Sequence, residues 1–438
     1  MNPSANMTRP QVASFVAAWS GWVLDAFDFA IFGLVMKQIS NELDVGLLAL
    51  SGSITLTLLV RLAGGSVAGW MADRWGRKLP LILSMVWFVS FDAAIYFSHT
   101  FQAILVFRTL FGFGMGAQWT AGTALAMESV PDHRRKIASG LLQAGWPIGV
   151  LLAGATAYFV VPAWGWRPMF LLASIPALLT LPLWFFVPNI KPVPRDQTIQ
   201  RSAVRELTAP GVMRMIVLAS IVMALGFVVY YGLTTQYALM LQTTLHLSAQ
   251  ATFLHVIVFN AGMLVGVICA GIVANRWGVI AALCIPALLM VPALPLYVGF
   301  APDLLWVGAF LGGMLGVGYS GVTPVLTTSL FPDHIRARAI GIVYHAGALI
   351  AAFVPALVAT LSSEHILSLP MAIMVVCGIG LVGMAGAVFL LRHRIAPMTH
   401  VGAATRTARS TSVEAHLVAL DLANLDVARG SQPVELEQ

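Results

Sequence analysis

Five charged side chains stand in apolar stretches of this chain long enough to be withheld from water. Asp25 and Asp28 fall inside "GWVLDAFDFAIF" (Gly21–Phe32), and Arg61, Asp92 and Arg108 lie one each in the three apolar runs that follow. A charge at such depth costs about 3 kcal/mol on insertion scales, so each calls for a partner or a purpose. Asp25 and Asp28 are three residues apart and project from roughly one helix face, a turn apart. Two carboxylates held together in low dielectric cannot both be ionised cheaply. A carboxyl group that takes a proton from one side and releases it on the other is the physical requirement of proton-coupled transport. Arginine is a poor proton carrier, but it binds a carboxylate bidentately. The pattern points to a division of labour in which an aspartate, Asp28 before Asp25, carries the proton. An arginine, Arg61 before Arg108, meets an organic anion. Plain ion pairing that fixes helix packing is the competing role. It suits Asp92 best, which lies at about the depth of Arg108 and is a rival to Asp28 as its partner.

These residues need a membrane to hold them. Of the 438 residues, 59% are hydrophobic and 10% charged, whereas a soluble domain carries about 25% charged residues. Twelve runs reach spanning length, at residues 14–36, 48–71, 80–97, 103–127, 138–161, 168–187, 213–240, 253–274, 279–299, 304–328, 338–361 and 370–391. The formal charge of +6 does not indicate nucleic acid, because the basic residues sit at the ends of these runs. Arg74, Arg77, Lys78, Arg134, Arg135, Lys136, Arg276, Arg336 and Arg338 all fall on one set of loops. The Lys/Arg bias of short loops then places both termini in the cytoplasm and the chain in a cell (inner) membrane. The first run is too long, too acidic and too closely followed by others to be a cleaved signal. Cys269, Cys284 and Cys377 lie in or beside apolar runs and suggest neither a disulfide framework nor a metal site.

The sequence is duplicated at an offset of about 200 residues. "ADRWG" (Ala72–Gly76) returns as "ANRWG" (Ala274–Gly278), "GMG" (Gly114–Gly116) as "GVG" (Gly316–Gly318), and "VPDHRRKIASG" (Val130–Gly140) as "FPDHIRARAIG" (Phe331–Gly341). The expected organisation is an N-terminal six-helix bundle (1–188), a polar linker (189–212), a C-terminal six-helix bundle (213–392) and a polar tail (393–438), with a short amphipathic helix around Leu417–Leu425. Such parallel repeats are related by an axis along the membrane normal and bind substrate between the halves, near the midplane.

At this point "GWMADRWGRK" (Gly69–Lys78) resembles the loop signature of the major facilitator superfamily, and "RTLFGFGMG" (Arg108–Gly116) its fourth-helix motif. "LDAFD" (Leu24–Asp28) is similar to the Asp-x-x-Asp of proton-coupled organic-acid carriers, namely the aromatic-acid:proton and sialate/monocarboxylate:proton symporters. "RLAGGSVAGWMADRWGRK" and "VVPAWGWRPMF" look most like the sialate branch, although the central linker lacks that branch's two extra spans. The resemblance implies an all-α membrane fold of twelve helices in two pseudo-symmetric bundles, with helices one and four lining the cavity. It also implies alternating access driven by a proton gradient, with no other cofactor. Where the fourth helix of the family often has Gly-Glu-Trp, this chain has Ala117, Gln118 and Trp119, so a carboxylate contact is missing. Asn275 replaces the aspartate of the second loop signature, which points to an asymmetric gate.

Other candidates follow from position. Tyr230, Tyr231, Gln236, Tyr319 and His345 are the polar residues in the second half that join Arg61, Arg108, Gln118 and Trp119 as substrate contacts. His255, Asn260 and Tyr344 are further polar positions there. Asp73, Arg74, Arg77, Glu128, Arg135 and Asn275 form the expected gate, in which Asp73 caps a neighbouring helix N-terminus and pairs with arginine. Gly112, Gly114 and Gly116 permit close helix packing. The leading function is import of a small carboxylate together with a proton, by a monomer in the lipid bilayer. The alternative is proton-driven efflux of drugs or metabolites, whose Gly-Pro-x-x-Gly-Gly motif "GWPIGVLLAG" (Gly145–Gly154) matches only loosely. No nucleophile–base constellation suggests an enzyme.

Overall fold

The computed structural model describes residues 7–180, 186–188, 206–332 and 335–395. The core of the expected linker (189–205) and the tail from 396, including the expected helix at Leu417–Leu425, lie outside them. Among the described residues every regular element is helical. In chain order they are α1 (Arg9–Leu43), α2 (Leu47–Trp75), α3 (Lys78–Tyr96), α4 (Phe101–Ser129), α5 (Arg135–Gln143), α6 (Gly145–Trp164), α7 (Arg167–Thr180), α8 (Pro210–Thr234), α9 (Tyr237–Thr243), α10 (Ala249–Trp277), α11 (Val279–Tyr297), α12 (Leu305–Leu311), α13 (Thr323–Leu330), α14 (Arg336–Ala351), α15 (Val354–Ser363) and α16 (Leu369–Ile395). Ten segments among the described residues are long and apolar enough to cross a membrane, and α4 and α7 stand where the expected fourth and sixth spans fall.

Each of the four expected spans at residues 138–161, 213–240, 304–328 and 338–361 is one membrane-length segment, but it is built from more than one helical element. The fifth span breaks at Ala144, between α5 and α6, and the seventh between α8 and α9. The tenth runs from α12 through a π turn (Gly312–Val317) and a 3-10 turn (Gly318–Val322) into α13. The eleventh breaks between α14 and α15. Three of the restarts carry a proline in their first turn: Pro147, Pro324 and Pro355. Proline lacks the N–H that would continue the preceding ladder and its ring clashes with the carbonyl four residues back, yet it is well placed in a first turn. The break after α8 has no such residue.

The duplicated motif has a direct structural meaning. Both α2 and α10 stop at its glycine, Gly76 with φ +96° and Gly278 with φ +91°. Each donates its N–H back to the carbonyl of the motif's alanine, Ala72 at 3.2 Å and Ala274 at 3.0 Å. Only glycine enters that backbone region without strain. One bundle forms as α1 packs on α6, α2 on α4, and α3 on α4 and α7. Ile31, Phe32, Val35 and Ile39 of α1 meet Leu50, Ile95, Met169 and Phe170 in its buried core.

The bundles meet along two seams at the end that carries the basic loops. At the first, α2 crosses α14, and a Cβ at Gly69 would stand 2.8 Å from the Cα of Arg338. At the second, α5 crosses α10, and a Cβ at Gly140 would stand 2.5 Å from Val267 O. These crossings repeat the sequence duplication, since Gly69 corresponds to Gly271 and Gly140 to Gly341. The α2–α14 seam is ionic. Arg77 donates from Nη1 to Asp73 Oδ1 at 2.6 Å and grips Glu128 through Nε and Nη2, both at 3.1 Å. From the other bundle, Arg338 donates its backbone N–H to Asp73 Oδ2 at 3.3 Å, with its Nε at 3.4 Å. Arg336 Nη1 lies 3.5 Å from Glu128 Oε1. Asp73 therefore caps the first turn of α14 while bridging arginines of both halves. Burial of the lock helps it hold: Asp73 and Arg77 are 8% and 3% exposed, and ion pairs shielded from water are screened far less than surface ones. Beside the α5–α10 crossing, α5 is held to the tenth span by neutral bonds instead. Ser139 Oγ donates to Gly321 O at 2.7 Å and accepts from the Val325 N–H at 3.2 Å.

Asp73→Asn removes a charge that two arginines of opposite bundles share, and is expected to shift the population toward opening at this end by a few kcal/mol. In a background cleared of native cysteines, Ala337→Cys, buried at the seam, is expected to react several-fold faster with a maleimide when Asp73→Asn is present. An unchanged rate contradicts the lock.

Candidate functional site

Between the bundles lies a cavity whose walls are mostly aromatic. Trp22 and Phe29 of α1, Trp146 of α6, and Phe227, Tyr230 and Tyr231 of α8 line it. Tyr319 and Ser320 from the 3-10 turn, Val317 from the π turn, and Tyr344 of α14 close the wall, with Gln143 and Met263 beside them. Loss of regular α-helix at Gly312–Val322 turns these side chains inward, as discontinuous membrane helices do at binding sites. The rings support one another: Trp22 stands 4.9 Å from Trp146, Trp119 stands 4.4 Å from Trp22 and 4.3 Å from Tyr344, and Phe227 stands 5.0 Å from Tyr344. Trp146 Nε1 donates to the Tyr230 hydroxyl at 2.9 Å, a bond that joins the two bundles across the cavity.

Arg61 is the cationic residue among those lining the cavity. Its guanidinium carbon stands 5.5 Å from the centre of the Tyr344 ring, a cation–π distance. Its Nη2 lies 3.7 Å from Asp25 Oδ2. The fourth helix comes close enough to hold it there because Gly116 has no side chain, and a Cβ would stand 2.0 Å from Arg61 O. Arg61 Nε and Nη2 are buried without hydrogen-bond partners, so the side chain has donors left for a carboxylate.

Asp28 and Arg108 lie behind the cavity wall. Arg108 is fully buried, its guanidinium carbon 4.5 Å from the centres of both the Phe32 and Phe111 rings. Its Nη1 is 3.9 Å from Asp92 Oδ1, the pairing that the sequence offered as the rival to Asp28. Asp28 is 1% exposed, and neither carboxyl oxygen has a hydrogen-bond partner. The charges close enough to act on it are Asp92, Asp25 and Arg108. Asp25 thus pairs with Arg61 at the cavity and Arg108 pairs with Asp92, while Asp28, one turn on from Asp25, lies in reach of the charges of Arg108, Asp92 and Asp25 without an ion-pair contact.

The remaining candidates divide by place. Tyr230, Tyr231 and Tyr319 line the cavity with Arg61. Trp119 backs the wall. Gln118 accepts from Ser84 Oγ at 3.0 Å and lines a smaller recess with Ala18, Trp119 and Thr123. His345 is buried where α14 crosses α2 and α4, its Nε2 3.1 Å from Gly116 O and 3.3 Å from Thr120 Oγ1. Gln236 sits at the break after α8, with Nε2 3.4 Å from Pro355 O. Away from the cavity, His255 stacks on Trp306 at 3.7 Å, and Asn260 donates to Val256 O. Of the gate candidates, Asp73, Arg77 and Glu128 form the lock. Arg135 braces its own loop through Met127 O and Asp132, Arg74 lies over Trp70 and Trp75, and Asn275 is exposed. Arg336 and Arg338, read from sequence only as loop charges, are the lock's other half. Of the aromatic wall, Tyr230, Tyr231 and Tyr319 were expected as contacts, whereas Trp22, Phe29, Trp146 and Phe227 were missed. Their signal is that Trp22 and Trp146 stand well inside spans, away from the interfaces where tryptophan usually sits.

Comparison with known proteins follows from this geometry. A model of the Major Facilitator Superfamily matches residues 18–355. The cis,cis-muconate transport protein of Acinetobacter baylyi is 27% identical over 381 residues, covering 84% of this chain and 92% of that protein. The gentisate transporter of Corynebacterium glutamicum is 25% identical over 346 residues, covering 76% and 77%. Among solved structures, the proton:xylose symporter XylE bound to 6-bromo-6-deoxy-D-glucose superposes with a TM-score of 0.74 at 18% identity, covering 88% of this chain and 96% of that one. At that identity the likeness concerns the fold. Since the matched stretch takes in both copies of the loop signature and the helices that build the cavity, the chain belongs to the Major Facilitator Superfamily.

Proposed function

We propose that this protein imports a small organic acid together with a proton, by alternating access, as a monomer in the inner membrane with both termini cytoplasmic. The two bundles, 1–188 and 213–392, rock about the cavity, and no cofactor beyond the proton gradient takes part. The observation that carries this reading is the placement of Arg61: a cation lining an aromatic cavity, with no hydrogen bond on Nε or Nη2, Asp25 3.7 Å away and Asp28 a turn further on. Arg61 receives the carboxylate and releases Asp25 from its pair. Rings of Trp22, Trp146, Tyr230 and Tyr344 take the flat body of the substrate, and Tyr and Ser hydroxyls offer hydrogen bonds to a ring substituent. The transport of muconate and gentisate by relatives supports an unsaturated or aromatic acid. One lining arginine, already offset in part by Asp25, favours a single carboxylate, as in gentisate, over the two of muconate.

Charge balance supports the proton. Asp25, Asp28 and Asp92 face only Arg61 and Arg108 in the buried cluster, so three carboxyls share two guanidiniums. A net charge left in a low-dielectric interior costs several kcal/mol, and one bound proton removes it. The lock at the basic-loop end then opens to the cytoplasm in the alternate state.

Three outcomes test the reading on protein reconstituted in vesicles. Asp28→Asn is expected to abolish accumulation driven by an inward proton gradient while leaving counterflow exchange measurable, and undiminished accumulation refutes the proton role. Arg61→Gln removes charged hydrogen bonds worth about 1.5–3 kcal/mol. In a thermal-shift screen of organic acids at two pH values, it is expected to weaken binding of the acids that stabilise wild type by about 10- to 150-fold. Among those acids, aromatic monocarboxylates should stabilise wild type more than dicarboxylates of similar size, and more at acid pH. A response confined to lipophilic cations would turn the assignment to efflux.

A further inference from the structure

Asp92 lies outside the cavity, and the charge balance of the buried cluster depends on it. It is buried on α3 with no exposed surface, and neither carboxyl oxygen has a hydrogen-bond partner. Its pairing with Arg108 is loose at 3.9 Å, beyond a hydrogen bond. Arg108 is equally unsatisfied: Nε, Nη1 and Nη2 are all buried without partners. Two aromatic rings hold its guanidinium from either side at 4.5 Å, which restricts where it can turn without tying it to one carboxylate. The charges acting on Arg108 are Asp92, Asp28 and Asp25. Packing partners add no other. Among the described residues, α6 offers only the exposed Tyr158 and α7 only Arg167, which is tied to Glu42. On α2 the neighbouring charge is Arg61, engaged by Asp25.

We propose that Arg108 is shared between Asp92 and Asp28, and that Asp92 is a positioning residue which keeps Arg108 from Asp28 while Asp28 holds the transported proton. The inference rests on the proton role of Asp28. The step is a proton transfer. The O–H bond of the Asp28 carboxyl breaks, the proton passes to water from the open end, and the new carboxylate draws in the guanidinium that Asp92 shares. No other bond changes. Counting charge gives the consequence. With Asp92 removed, Asp25 pairs with Arg61 and Asp28 with Arg108, and the cluster is neutral without any proton. With Asp28 removed, Asp92 keeps Arg108, and the cluster is again neutral. Either deletion disables proton holding, although only Asp28 carries the proton.

The test needs no substrate. Infrared titration of the full chain in lipid follows the carbonyl band of protonated carboxyl groups. The component missing from Asp28→Asn belongs to Asp28. In Asp92→Asn, the midpoint of that component is expected to fall by at least about one pH unit, a tenfold easier release of the proton. Asp92→Glu is expected to keep it near the wild-type position. A merely structural Asp92 leaves the midpoint in place, and that result overturns the proposal. If Asp92→Asn does not fold, the Asp28→Asn protein decides alone. It should have no protonated Asp92 between pH 5 and 8, and an acid band there that is lost in Asp28→Asn/Asp92→Glu through its altered frequency overturns the proposal. Failure of import shows separately, as wild-type vesicles that do not accumulate any organic acid on a proton gradient while the Asp28 band still titrates.

Discussion

Unequal numbers of opposite charges held away from water constrain everything else in this molecule. Each buried charge costs about 3 kcal/mol to place in the bilayer interior on insertion scales, and removing one partner of a buried pair costs about 3–5 kcal/mol. Net folding stability is about 5–15 kcal/mol. Five such groups are therefore tolerable only when the helices bring them together. Close contact of α4 with α2 and α3 does this, setting Arg61 beside Asp25 and Arg108 beside Asp92. Glycine makes the approach possible. Where Gly116 meets the backbone of Arg61, any larger residue would push the second helix outward and separate the arginine from its acid.

The same logic of close approach operates between the bundles, with different bonding on the two sides. Duplication supplied equivalent glycines to both seams, and in each the helices cross at backbone contact. It did not supply equivalent charges. Asp73 at the first seam binds arginines from both halves, whereas its counterpart Asn275 stands exposed. Charged bonds lose strength steeply as the partners part and water enters, since the interaction scales inversely with distance and dielectric. Neutral bonds such as Ser139 to Gly321 can be exchanged for water at little net cost. Under the proposed alternating access, the ionic seam sets how firmly this end is shut, and the neutral bonds let it part without a second large barrier.

Sequence made the scarce features legible and hid the common ones. Asp25, Asp28, Arg61 and Arg108 declared themselves because charge in an apolar run is costly wherever the fold puts it. The spans and the repeated "RWG" followed from hydropathy and from glycine's access to positive φ, both local properties. The aromatic wall is different in kind. Trp22, Phe29, Trp146 and Phe227 are as apolar as the lipid-facing residues around them, so hydropathy cannot tell a cavity face from an outer face. Helix breaks were hidden where one proline could start a helix as well as end one, as Pro147, Pro324 and Pro355 do. The lock was half legible. Asp73 and Arg77 lie in the recognisable loop signature and Glu128 at the end of the fourth helix, but Arg336 and Arg338 complete the lock from the other half of the chain, Arg338 265 residues from Asp73, and only the fold relates them.

In the proposed mechanism, the first helix is what lets an anion in the cavity and a proton behind the wall sense one another. Trp22 and Phe29 face the cavity, Asp25 reaches Arg61 at its edge, and Asp28 lies with Arg108 and Asp92 beyond it. All four positions fall within two turns, about 11 Å of helix rise. A rigid helix cannot move one without the others. An anion that draws Arg61 from Asp25 leaves Asp25 unpaired on the same helix as Asp28, so the two carboxyls compete for the remaining positive charge and a proton becomes more valuable to the cluster. Occupation of the cavity and protonation then favour each other through electrostatics alone. By linkage, whatever factor one contributes to the binding of the other is returned in full. Coupling of this kind needs no contact between substrate and proton site, so the proposed mechanism gives the fully buried Arg108 as much weight as Arg61 at the cavity wall.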